Sequence, residues 1–165
     1  MASPFGGTLE TVLLVESRTV VRKLVTQILE EANFTVIAAR SAKEAIRLEA
    51  EFPGTIDLLL SDVSLTKMSG PNLAKRLKNQ RPQMHVMLMS GYPGGAMLFL
   101  DMGWQYADRP FVPSVLVSRM KDLLYGATRE QSTDRFEPSK VPRRSYGRAS
   151  LRLPPAASSG TRRRA

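Results

Sequence analysis

The chain has 165 residues, 42% of them apolar, enough for one sizeable core plus a further segment. Its net charge of +9 is uneven: residues 1–125 hold 14 basic and 12 acidic side chains, whereas residues 126–165 hold 10 and 3, so the basic character belongs to the tail. Cysteine is absent, which excludes disulfides and cysteine-based zinc sites, and no apolar run reaches the roughly 18–20 residues of a membrane span.

Residues 1–8 form a small, polar leader. Thr11–Val15 is a short apolar run rich in β-branched residues, the pattern of a strand buried on both faces. Val21, Leu24, Val25, Ile28 and Leu29 follow at helical spacing. Residues 34–38 are the second strand candidate. Ser41 and Glu44 have capping-box spacing and open a helix through Ile46 and Leu48, which Pro53 and Gly54 stop. Residues 56–60 read as the third strand, ending at Ser61 and Asp62. A loop with Ser69, Gly70 and Pro71 leads to a helix carrying Leu73, Ala74 and Leu77. Residues 86–89 are the fourth strand. Pro93, Gly94 and Gly95 break the chain before an apolar stretch over 96–102, the fourth helix candidate. A short fifth strand near 105–107 ends at Asp108, Arg109, Pro110 and Phe111. The last helix starts near Pro113 and sets Leu116, Val117, Met120, Leu123 and Leu124 on one face.

Five alternations of strand and helix predict an α/β domain: a parallel sheet with helices on both faces. Functional groups in such sheets gather at the carboxyl ends of the strands. From residue 126 the periodicity disappears, and Pro138, Pro142, Pro154 and Pro155 stand among Ser, Gly and Arg, the composition of a disordered tail. The expected organisation is therefore a flexible leader over 1–8, a folded domain over 9–125 and a basic tail over 126–165. The single histidine, His85, reads as structural or exposed, the methionines at 84, 87 and 89 as core filling, and Trp104 as packing near the fifth strand.

Four strand ends carry polar residues: Glu16-Ser17, Asp62, Ser90-Gly91 and Arg109-Pro110. One such residue means little. Four projected to one sheet edge make a site, and two carboxylates, a hydroxyl and a guanidinium suit phosphoryl chemistry. The carboxylates can hold Mg²⁺, the hydroxyl can donate to a phosphate oxygen, and the cation can neutralise phosphate charge.

With these pieces in order, the chain resembles the receiver domains of two-component response regulators over roughly residues 10–125. The matching fragments are Val12-Leu-Leu-Val-Glu16, Asp57-Leu-Leu-Leu-Ser-Asp62, Met68-Ser-Gly-Pro71, Met87-Leu-Met-Ser-Gly-Tyr92 and Asp108-Arg-Pro-Phe111. The resemblance implies a flavodoxin-like five-stranded parallel sheet of order 2-1-3-4-5. It implies that Asp62 accepts a phosphoryl group from a kinase phosphohistidine, and that Glu16, Asp62 and the Ser64 backbone carbonyl contact Mg²⁺. It further implies that Ser90 turns toward the phosphate and that Tyr106 is an aromatic switch, with plain core the alternative for Tyr106. Three positions depart from the family's pattern. Ser17 stands where a second acid is usual, Arg109 where a lysine is nearly fixed, and Thr66 where a proline is expected. Arg109 keeps the charge but is a planar fork: it either binds phosphate or pairs with Asp62 and in effect replaces the metal.

Two functions follow. The first is a phosphorelay receiver that takes phosphate on Asp62, with Mg²⁺ held more weakly than usual, and switches a protein-interaction face. The second is a pseudo-receiver, an interaction module without phosphoryl chemistry. A flavin-binding protein of related topology would need a hydroxyl- and glycine-rich loop after the first strand, and Glu16-Ser-Arg-Thr19 is not one. The expected partners are a histidine kinase or phosphotransfer protein, and a second copy through the fourth helix and fifth strand, where Met97-Leu-Phe-Leu100 cannot all be buried. For the arginine-rich tail a solvated segment is preferred over contact with nucleic acid or an acidic partner. No enzymatic activity and a cytoplasmic location, away from membranes, are expected.

Overall fold

The computed structural model describes residues 9–91 and 102–130. The leader, all of the helix candidate 96–102 except Met102, and the tail from 131 lie outside the described residues, as do the docking and nucleic-acid expectations placed on them.

The described chain runs β1 (Thr11–Val15), α1 (Thr19–Glu31), β2 (Thr35–Ala39), α2 (Ala42–Glu51), β3 (Leu58–Asp62), α3 (Gly70–Gln80), β4 (His85–Ser90), β5 (Gln105–Asp108) and α4 (Pro113–Glu130). All four strand pairings are parallel and the order is β2-β1-β3-β4-β5, as the resemblance implied. α4 reaches Glu130, past the boundary expected at Tyr125.

Strand periodicity builds the two layers. Along β1, Leu13 and Val15 face a core shared with Leu59, Leu73, Leu77, Leu88 and Trp104. Val12 and Leu14 face the other, with Val25, Leu29, Leu60, Met87 and Met120. Each leucine so buried contributes about 1.5–3 kcal/mol. The three methionines of the fourth strand region are all buried, as read from the sequence.

Local signals set the helix starts. Ser41 accepts the Glu44 amide at 3.2 Å, while the Glu44 carboxylate accepts the amide of Arg40 at 2.8 Å. Ser69 caps α3 and Pro71 lies in its first turn. The end of α2 is held from a distance. Arg81 donates to the Glu49 carboxylate at 2.8 Å and to the carbonyls of Glu49, Phe52 and Gly54 at 3.1, 3.0 and 2.7 Å.

β3 lies two residues beyond the expected 56–60. The polar pair Ser61-Asp62 ends the apolar run but not the ladder, because Ser61 pairs with Val15 and Leu88, and Asp62 pairs with Met89. At the other end Asp57 uses its amide, carbonyl and carboxylate to join Thr11 and His85. Asp62 is therefore the last residue of a central strand and not a loop residue.

Candidate functional site

Parallel strands end on one edge, so the topology gathers what the sequence scatters. Glu16 follows β1 directly and is fully buried, its amide donating to the Ala39 carbonyl at 3.1 Å. Asp62 closes β3 at 5% exposure, and Ser90, also buried, closes β4. Arg109 follows β5, and its amide donates to the Ser90 carbonyl at 2.7 Å. Behind Asp62, the Gly70 amide donates to the Val63 carbonyl at 2.9 Å and folds the loop against the strand end.

Arg109 spans the two acids. Its Nη1 lies 2.8 Å from Glu16 Oε2 and its Nη2 2.7 Å from Asp62 Oδ1. Among the described residues its Nε has no hydrogen-bond partner. A second arginine closes the other side. Arg18 donates its amide (2.9 Å) and Nε (3.2 Å) to Glu16 Oε1 and its Nη2 (3.2 Å) to Oε2. The same Nη2 is 3.9 Å from Asp62 Oδ2. Arg22 then takes the carbonyls of Glu16 and Ser17 at 2.8 and 3.2 Å.

Asp62 thus has two unlike oxygens. Oδ1 accepts the Ser64 amide at 3.0 Å as well as Arg109, whereas Oδ2 lies 3.9 Å from Arg18 Nη2. A pocket of about 360 Å³ opens here, lined by Ser17, Arg18, Asp62, Ser64, Gly91 and Arg109. Burial pushes the Asp62 carboxyl above the ordinary aspartate value. The Ser64 amide pulls it back, Glu16 adds to the rise, and Arg18 and the Val63 amide oppose it. The Arg109 ion pair acts in the same sense as Arg18.

These residues fit a divalent ion poorly. Three of the four carboxylate oxygens already accept guanidinium or amide hydrogens, and two acids beside two guanidiniums leave no net negative charge to recruit a cation. Among the described residues no group of three acidic or histidine side chains could hold a metal.

The family model of the response regulator receiver domain matches residues 12–103. The chain belongs to that family. The receiver is 32% identical over 117 residues to the sensor kinase CckA of Brucella abortus, a match covering 69% of this chain and 12% of the kinase. It is 30% identical to the C4-dicarboxylate transport regulator DctD of Rhizobium meliloti, over 65% of this chain and 24% of DctD. It thus spans a small part of these two relatives and about half of others it matches. Among solved structures, the receiver domain of the hybrid histidine kinase CckA is 31% identical, with a TM-score of 0.60, covering 69% of this chain and 98% of that one. A receiver domain from Clostridium thermocellum, at 22% identity, shares the fold with a TM-score of 0.67 over 74% of this chain and 99% of that one. Receiver domains are typically signalling modules without enzymatic activity; they interact with histidine kinases or phosphotransfer proteins and generally bind Mg²⁺ at an acidic pocket. No helix among the described residues is long and apolar enough to cross a membrane.

Of the residues singled out from the sequence, Arg109 is in direct contact with both Glu16 and Asp62, and the Ser90 carbonyl accepts the Arg109 amide. Ser64 meets Asp62 through its amide. Tyr106 is buried on β5 beside Leu88, and burial raises its phenol to about 12. Sequence reasoning missed Arg18. Its one signal was an acid and a base two residues apart after a strand, which is common in solvated turns.

Proposed function

We propose that this receiver accepts a phosphoryl group on Asp62 from the phosphohistidine of a histidine kinase or phosphotransfer protein, and that the modified domain, residues 9–125, presents an altered protein-interaction face. The observation that carries this reading is the asymmetry of Asp62 on the wall of the pocket, with Oδ1 held by Ser64 and Arg109 and Oδ2 3.9 Å from Arg18. Oδ2 attacks phosphorus, the P–N bond breaks, and the imidazole nitrogen leaves with the electron pair. Arg109 is close enough to pass from the carboxylates to phosphoryl oxygens, and the Ser90 hydroxyl is assigned to the same group. Because Arg109 donates its amide to Ser90 and lies three residues after Tyr106, its movement is the link we assign to the Tyr106 switch. A cytoplasmic location and the lack of enzymatic activity belong to the same reading. Mg²⁺ has to compete with Arg109 and Arg18 for the same oxygens, so it binds weakly.

The bridge from Arg109 to both acids favours a second reading, a pseudo-receiver in which Asp62 is permanently ion-paired. The two separate by intact-protein mass spectrometry after incubation with phosphoramidate and Mg²⁺. One phosphoryl adduct, lost in Asp62→Asn, upholds the first. No adduct, with partner binding unchanged in Asp62→Asn, upholds the second.

A further inference from the structure

The metal's expected place is taken by protein. Against the family's pattern, position 17 has lost a carboxylate, and position 18 brings a guanidinium onto the remaining pair. One negative charge fewer and one positive charge more together equal the charge of a divalent ion. Arg109 lies on Glu16 Oε2 and Asp62 Oδ1, and Arg18 on both oxygens of Glu16 while approaching Asp62 Oδ2 from the other side. The two guanidiniums therefore approach the Asp62 carboxylate at its two oxygens, and both residues line the pocket. They differ in freedom: the Arg109 side chain is 14% exposed and anchored by its amide to β4, whereas that of Arg18 is 57% exposed.

We propose that Arg18 and Arg109 replace the divalent ion, so that the Asp62 pocket takes up its phosphoryl group without metal. The proposal rests on Asp62 being the acceptor. An incoming phosphoryl group carries about two negative charges and three acceptor oxygens, and guanidiniums bind such groups through paired N–H donors. Arg18 is the exposed wall that turns from Glu16 onto the phosphoryl oxygens, and Arg109 is the more buried one, with the shorter way to move. In the step itself the Oδ2–P bond forms and the P–N bond of the donor breaks. With phosphoramidate, the leaving nitrogen, already protonated, departs as ammonia with the electron pair.

The test is the rate of adduct formation by the full chain with phosphoramidate, in excess EDTA and in Mg²⁺, read by intact mass. Both conditions should give one adduct, absent in Asp62→Asn, at rates within about twofold of each other. Arg18→Gln should slow the EDTA reaction by about tenfold or more, the size of one strong charge-assisted contact. Adding Ser17→Asp to Arg18→Gln should restore the rate in Mg²⁺ alone. Trp104 fluorescence checks that each variant is folded. An adduct only in Mg²⁺ overturns the metal-free site and leaves Asp62 as acceptor. An unchanged EDTA rate in folded Arg18→Gln overturns the role of Arg18. No adduct in either condition, or one that survives Asp62→Asn, overturns the acceptor reading and this proposal with it.

Discussion

Gly70 sits directly on the carbonyl of Asp62: a Cβ at Gly70 would lie 2.2 Å from Asp62 O and 3.0 Å from its carbonyl carbon. The obstacle is backbone, which cannot swing aside as a side chain can. Gly70→Ala should therefore push the end of β3 away from α3 and shift Asp62 relative to Arg109. The expected cost is about 1–3 kcal/mol, with overpacking as the cause. Urea unfolding measures the cost, and amide shifts of Asp62 and Ser64 report the displacement. A variant of unchanged stability and spectrum would contradict the contact.

Magnesium affinity tests the charge balance from the opposite direction. Wild-type protein should bind Mg²⁺ weakly, since Glu16 and Asp62 already hold two guanidiniums. Ser17→Asp adds a carboxylate at the pocket wall and should tighten binding by about tenfold or more. Arg109→Lys in that background should tighten it again, because a single ammonium cannot span both acids. Isothermal titration of the three proteins decides. Tight binding by wild type, unimproved by Ser17→Asp, would contradict the balance.

Arg81 should matter to stability although it lies far from the site. It joins the Glu49 carboxylate to three carbonyls at the end of α2. Arg81→Ala leaves the nearly buried Glu49 unpaired and should cost on the order of 2–3 kcal/mol. Arg81→Lys should recover less than half of this, because one ammonium cannot replace the fork. Chemical denaturation curves of the three proteins check both expectations.

Acid should weaken the fold through His85. Burial lowers its pKa below the ordinary 6.5, Lys78 adds to the fall, and Asp57 opposes it. Above 6.5 the ring is neutral in folded and unfolded chains, and its contribution is fully present. As pH falls below 6.5 the unfolded chain takes up the proton first, so stability is lost down to the folded pKa. The urea midpoint should drop between about pH 7.5 and 5.5, and His85→Gln should flatten that part of the profile.

The sheet was legible because buried parallel strands are written as apolar runs and their helices as amphipathic stripes, both local patterns. β3 was misplaced by two residues for the same reason. Polarity changes at Ser61, whereas the ladder continues because Val15 and Met89 supply partners that a linear reading cannot see. The four strand-end residues were found by projecting strands to one edge. What they do to one another was only partly visible. An ion pair of Arg109 with Asp62 was one of two readings, but the bridge to Glu16 joins residues 93 apart. Arg81 escaped notice in the same way, since its targets lie at and just past the end of α2, before β3 begins.

The outermost strands differ in a way that bears on solubility. β5 has four residues and exposes Gln105 and Asp108 at its ends, so it offers a short, charged rim to other chains. Among the described residues β2 pairs only with β1; it runs Thr-Val-Ile-Ala-Ala without a charge and leaves Thr35 and Ala38 exposed. Of the two rims it is the better template for a foreign strand. Under conditions that loosen α1 or α2, cross-β self-association would begin at β2, and a lysine at Thr35 is the most economical guard against it.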